Sequence, residues 1–175
     1  MSQLDVAERT ATEAVVDHHA QLSAALDGYV HAVREAAERA DANALWQQRE
    51  ALVGWLHAEL LSHAYAEEAA MYPVAADQPG GRLLIDRKRR EHAAIAGLVG
   101  EAERASTALA LVAAARALAA LFAVHVEKEN ELVVPLLVAA EGVSLAGLLD
   151  GMHDLIGQPA ETAGCGGHCE CGGAG

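Results

Sequence analysis

The chain has 175 residues, a formal net charge of −13 and a pI of about 5.0. A field of that sign repels phosphate and anionic lipid, so neither nucleic acid nor a membrane surface is an expected partner. Hydrophobic residues make up 53% of the chain and aromatic ones 3%, with Ala and Leu prominent, which favours a single all-α domain with a sizeable core over a sheet protein.

The opening residues, Met1-Ser-Gln-Leu-Asp-Val, lack a basic region followed by an apolar run, so no secretory signal is expected. All three Cys fall in the last eleven residues. No disulfide framework therefore holds the fold, and a cytoplasmic chain is the expectation.

Thr10-Ala-Thr-Glu13 reads as a capping box that opens a first helix over about residues 11–40. Val15, His19, Leu22, Leu26, Tyr29 and Val33 form its apolar stripe, with His19 in a core position and His18 rotated about 100° away. Asp41 is the expected N-cap of a second helix, about 42–72, with the stripe Leu45, Leu52, Leu56, Leu60, His63, Glu67 and Ala70. Asp77-Gln-Pro-Gly-Gly81 breaks the pattern.

A third helix, about 82–105, carries Leu84, Ile85, His92, Ile95 and Val99. Ser106 or Thr107 caps a fourth, about 108–140, with the stripe Leu111, Leu118, Leu121, His125, Glu129, Leu132 and Leu136. Its apolar run from Leu109 to Val126 is Ala-rich and interrupted by Arg116 and His125, and reads as a core helix, not a membrane span. Pro135 should kink it or mark its last turns, and Gly142 closes it. Ser144 starts a short fifth helix to about Ile156. The expected organisation is an up-down-up-down bundle over 11–142, a short helix over 143–157 and a flexible Gly/Cys/His-rich tail over 158–175.

Two of these helices share one motif. His63-x3-Glu67, followed by Pro73, recurs further along the chain as His125-x3-Glu129, followed at the same spacing by Pro135. Residues i and i+4 lie on one helix face, so each copy aims an imidazole and a carboxylate at the same region of the core. Buried together they are costly unless something neutralises them, and a metal ion would.

Helix geometry brings further donors to the same level. His19 lies as far before Ala40, near the end of the first helix, as His63 lies after Ala42, near the start of the second. His63 and His92 also agree in height across the second turn, whereas His92 and His125 agree less closely. The candidate ligands are His19, His63, Glu67, His92, His125 and Glu129. Four nitrogens and two carboxylates suit a pair of ions, each taking two imidazoles, with both glutamates bridging. This donor set suits iron, zinc or manganese. Glu67 is preferred to Glu68 because it aligns with Glu129, and His19 to His18 because Leu22 follows it as Ile95 follows His92; both neighbours stay open as alternatives.

These residues resemble the hemerythrin-like HHE cation-binding family over roughly residues 11–140: His19 with Leu22, His63-x3-Glu67 before Tyr72-Pro73, Glu91-His92-x2-Ile95, and His125-x3-Glu129 before Pro135. The resemblance implies a non-haem di-iron centre, oxo- or hydroxo-bridged, that meets O₂, NO or peroxide. Oxygen-carrying members have a further His four residues after the helix-three His, where this chain has Ala96. The resemblance is therefore to the four-His, two-Glu variants linked to iron sensing, peroxide handling or iron–sulfur repair.

His31 and His57 fall off the stripes and read as surface, and His153 as unrelated to the site. Arg87-Lys-Arg-Arg90 reads mostly as a solvated charge run. Cys165-x2-His168-Cys169-x-Cys171 cannot close a standard zinc finger by itself; it reads either as an incidental terminus or as a metal-handling arm. The alternative functions are metal storage or transfer without turnover, and an interaction module whose metal is structural.

Overall fold

The computed structural model describes residues 3–157, which form five helices and no strand. α1 is Gln3–Glu38, α2 covers residues 42–76, α3 is Gly81–Arg104, α4 is Ala108–Val138 and α5 is Leu145–Gly157. The first four form the expected up-down-up-down bundle, and α5 lies back across α1 and α2. The tail read over 158–175 lies outside the described residues.

Caps mark the starts of three helices. Asp41 accepts from Ala44 N at 3.0 Å, Thr107 from Ala110 N at 3.2 Å and Ser144 Oγ from Gly147 N at 3.2 Å. The turn into α3 needs glycine at position 81, where a Cβ would stand 1.8 Å from the Ala75 carbonyl oxygen. The capping box at Thr10–Glu13 is a correction: α1 already runs from Gln3, and the Thr12 hydroxyl returns to the Glu8 carbonyl at 2.9 Å from mid-helix. Tertiary packing overrides the local signal there, because Ala11 and Val15 are buried in a cluster with Leu145 and Met152 of α5.

The second correction concerns stripe phase. Both repeat copies pass through a π turn, Glu67–Met71 in α2 and Glu129–Val133 in α4. Tyr72 N bonds to Glu67 O, and Val134 N to Glu129 O, each at i−5. The proline that follows explains both turns: it lacks an N–H, and its ring would strike the carbonyl four residues back in a regular α-helix. Widening one turn accommodates it, so both helices continue past proline, to Ala76 and Val138.

Each widened turn advances the buried face by one residue. The expected stripe through Leu132 and Leu136 is displaced: Leu132 is 49% exposed, while Val133, Val134 and Leu137 are buried. In α2 the stripe expected through Ala70 passes instead through Met71, Tyr72 and Ala75, which are buried at the equivalent places. A further π turn, Leu56–Leu61, carries no proline; near its end the Ser62 hydroxyl donates to the His57 carbonyl at 3.1 Å.

The core has two apolar layers. One holds Leu22, Leu60, Ile95 and Phe122; the other holds Val15, Met71, Ile85 and Val133. Along each bundle helix, the candidate residues fall between members of the two layers. α4 contains an 18-residue window of mean hydropathy 2.1, long and apolar enough to cross a membrane. Here it forms one wall of the bundle, with Leu111, Leu118 and Phe122 buried.

Candidate metal centre

All six candidates are buried, none more than 6% exposed. Their heights agree even where helix arithmetic does not. His92 lies closer to the end of α3, at Arg104, than His125 lies to the start of α4, at Ala108. Yet their Nε2 atoms are 3.1 Å apart. Ala105 and Thr107 in the link are extended, and at about 3.3 Å per extended residue against about 1.5 Å in a helix such a link can absorb that mismatch.

The donors divide into two overlapping groups: His19, His63, Glu67 and Glu129, and Glu67, His92, His125 and Glu129. Within each, the ligand-type atoms lie within 4.8 Å of one another, close enough to hold one cation. The two carboxylates join the groups differently. Glu67 presents Oε1 to His63 Nε2 at 3.0 Å and to His19 Nε2 at 3.4 Å, and Oε2 to His92 Nε2 at 3.4 Å. Glu129 presents the same oxygen, Oε2, to both sides: 3.3 Å from His125 Nε2 and 3.7 Å from His19 Nε2.

The opposite ring nitrogens of three imidazoles are held by other side chains. Nδ1 of His19 lies 2.7 Å from Asn130 Oδ1, Nδ1 of His92 lies 2.8 Å from Glu68 Oε1, and Nδ1 of His125 lies 3.1 Å from Glu91 Oε2. At His19 and His92 the acceptor at Nδ1 puts the proton there and leaves the Nε2 lone pair aimed inward, as metal-binding histidines require; His125 Nδ1 also lies 2.8 Å from the Lys88 ammonium, a donor. Glu68 and Asn130 occupy equivalent places in the repeat, and each reaches the imidazole of a different helix. The structure thus puts Glu67 among the inward donors and Glu68 behind His92. His18 stands outside the group, its ring 4.9 Å from that of His63.

Several buried atoms in the centre have no hydrogen-bond partner: both ring nitrogens of His63, Glu67 Oε2 and Glu129 Oε2. His63 Nε2, Glu67 Oε2 and Glu129 Oε2 have ion-pair neighbours at 3.0, 3.4 and 3.3 Å without making a hydrogen bond to them. Orphaned atoms of this kind, buried and convergent, are costly unless a cation takes them. The donor chemistry, neutral imidazole with carboxylate, fits a transition-metal ion.

Protonation in the metal-free protein reflects the same pressure. Burial would push the Glu67 carboxyl up, but the imidazoles of His63, His19 and His92 around it hold it well below the usual carboxylate range. Burial opposes charge on His19 and His92, but Glu67 beside both overrides it and raises them above the usual imidazole range. At His18, burial together with the nearby His63 and His19 lowers the ring to about 4.

Besides Asn130, three residues take a part in this site that sequence reasoning does not assign them. Tyr72 is fully buried; its hydroxyl donates to Glu129 Oε1 and lies 3.2 Å from His92 Nε2, and its ring stacks on His92 at 5.2 Å. Lys88 is also fully buried. Its ammonium donates to the His125 carbonyl at 2.7 Å and to Glu91 Oε2 at 3.2 Å, and lies 3.5 Å from Glu129 Oε1. Burial lowers that ammonium, and the Glu129 and Glu91 carboxylates oppose the shift.

Arg87, Arg89 and Arg90 are exposed as the charge run implies, but Lys88 is not. It stands four residues before His92, on the stripe of Ile85 and Ile95, and that spacing is the available signal. Glu91, whose carboxylate also contacts Lys128 at 2.5 Å, is the third.

His31 and His57 are exposed, as expected. His153 is a correction. α5 folds back over α1 and α2, and His153 borders a cavity of about 210 Å³ that His63 and Glu67 also line.

A family model described as the hemerythrin HHE cation binding domain matches residues 10–137. No curated protein and no solved structure matches the chain.

Proposed function

The chain belongs to the hemerythrin HHE cation binding domain family, and from that premise we propose that His19, His63, Glu67, His92, His125 and Glu129 hold two iron ions. We further propose that this pair binds, senses or consumes a small oxidant or NO. The observation that carries the proposal is the inward convergence of four Nε2 atoms on two carboxylates, with four buried atoms left unpartnered.

An iron pair would supply electron transfer and Lewis acidity. The chain's own residues do the rest. Asn130, Glu68 and Glu91 orient imidazoles, Tyr72 holds one carboxylate, and the two apolar layers exclude bulk water. Two imidazoles and shared carboxylates per ion are fewer donors than iron commonly takes, which supports reactivity with an added molecule over a closed structural site.

Metal analysis of the purified protein, with its near-ultraviolet and visible spectrum, tests this. Two irons per chain and a charge-transfer band that responds to O₂, NO or peroxide are expected. His63→Ala and His125→Ala should each lower metal content; full occupancy in both would refute the ligand assignment.

The thiol-bearing tail, Cys165 to Cys171, favours a second reading, metal storage or transfer. Under it, removing residues 160–175 slows loading of the bundle, whereas unchanged loading kinetics reject it. The acidic charge and the terminal placement of all Cys support a cytoplasmic protein without a nucleic-acid partner.

A further inference from the structure

The two ends of the centre differ in the charge that lies beyond them. Behind His125 the buried ammonium of Lys88 stands 2.8 Å from Nδ1, and the half-buried Lys128 contacts Glu91, which faces the same nitrogen. Behind His92 the fully buried ring of Tyr72 is stacked. A cation approaching from this side meets two ammonium groups and a packed phenol.

The His63 end has the opposite character. The cavity of about 210 Å³ lies against it, and half of its described lining is of metal-ligand type: His18, Glu59, His63, Glu67 and His153. The rest is apolar, with no lysine or arginine among the described residues. The donors are graded in depth: Glu59 and His153 are exposed, His18 is half-buried, and His63 and Glu67 are buried. A water occupies about 30 Å³ of liquid volume, so the space holds an ion together with several of its waters. His153 belongs to α5, outside the span 10–137 that matches the family, so the outermost imidazole is an addition of this chain. Glu8 pins that helix at its start, its carboxylate accepting from Ser144 Oγ and Leu145 N, each at 2.8 Å.

His63 is also set apart from the other three imidazoles. His19, His92 and His125 have side-chain partners at Nδ1, whereas neither ring nitrogen of His63 makes a hydrogen bond. It can take up an ion without first breaking one. The His18 ring stands 4.9 Å from it, so an ion released by His18 is already beside His63. We propose that this cavity is the loading route of the centre: a hydrated divalent transition-metal cation is taken at Glu59 and His153, passes His18, and enters through His63 and Glu67, exchanging waters for donors as it goes. The proposal rests on the metal-centre reading above. The outer donors pass the cation on and do not keep it, because among the described residues only the two groups of the centre converge closely enough to hold one. The acidic chain concentrates cations at its surface, and the graded donors give them one way in.

Anaerobic uptake of Fe(II) by the full-length metal-free chain tests the route, with aliquots quenched by a chelator and protein-bound iron counted. Glu59→Gln and His153→Gln change exposed positions and leave the core untouched, and His18→Phe keeps a ring without its nitrogens. Glu59→Gln and His18→Phe should each slow uptake about tenfold, and His153→Gln should slow it less, with the final iron content of the wild type in all three. Glu101→Gln removes the same charge from an exposed position that does not line the cavity, and should load at the wild-type rate.

Wild-type rates in Glu59→Gln and His18→Phe would overturn the proposal. So would equal slowing in Glu101→Gln, which would assign the effect to net charge alone, and so would a lower final iron content in the slowed variants, which would make those side chains resident ligands. A wild type that fills with iron no faster than its variants rejects the route and leaves the metal centre standing. A wild type that takes up no iron rejects the metal-centre reading, and the route with it.

Discussion

Asn130 and His19 are 111 residues apart, yet Asn130 Oδ1 accepts from His19 Nδ1 at 2.7 Å. The bond spans α4 to α1 and fixes which nitrogen of His19 faces the centre. Glu68, the counterpart of Asn130 in the first repeat copy, does the same for His92.

Asn130→Ala is accordingly expected to weaken metal binding about 10- to 100-fold without removing any proposed ligand. Competition against a chromophoric chelator measures this, with circular dichroism to confirm an intact helical bundle. Wild-type affinity in the variant would show that His19 needs no help to keep its tautomer.

Tyr72→Phe keeps the ring stacked on His92 but removes the donor to Glu129 Oε1. A buried hydrogen bond to a charged group contributes about 1.5–3 kcal/mol, so the metal-free variant should lose stability of that order in urea unfolding. An unchanged midpoint and slope would contradict this.

Lys88→Met tests a conflict of charge. In the metal-free protein the ammonium sits 3.5 Å from Glu129 Oε1 and favours its ionised form. Once cations bind, the same ammonium opposes them. The variant should therefore be less stable than wild type without metal, and metal should raise its melting temperature more than it raises that of wild type. A smaller rise would reverse the inferred sign.

Stability and metal binding should depend on pH in opposite directions. His19 and His92 are raised above the ordinary imidazole value of 6.5, burial notwithstanding, because Glu67 lies beside both. In the metal-free protein their protonation contributes stability that is fully present below about 6.5 and lost as pH rises through the raised values. Metal requires the same Nε2 atoms deprotonated, so affinity should climb across that window, with proton release on binding. Calorimetric titration in buffers of different ionisation enthalpy measures the release; none at about pH 7 would contradict the assignment.

Much of the site is legible in the sequence because its residues obey helical spacing. His19, His63, Glu67, His92, His125 and Glu129 all lie on apolar stripes, and the repeated His-x3-Glu motif supplies the pairing. Phase is lost wherever the helix is not α. Leu132 reads as core because a 3.6-residue period carries straight through Glu129–Val133, and Pro135 reads as a kink or stop, although it imposes the π turn.

Lys88 is hidden by composition, a buried cation inside four consecutive basic residues, although its spacing to His92 is that of a core position. The role of His153 depends on α5 folding back across α1 and α2, and no local pattern encodes that path.

The two copies of the motif are not equal, and the difference lies at one position. Tyr72 in the first copy corresponds to Val134 in the second, so Glu129 has a phenol anchoring one of its oxygens. Glu67 has only imidazoles within reach. One carboxylate is held by a phenol and the other by rings alone. Glu67 also lines the cavity under α5, so the carboxylate that lacks a phenol is the one beside open space.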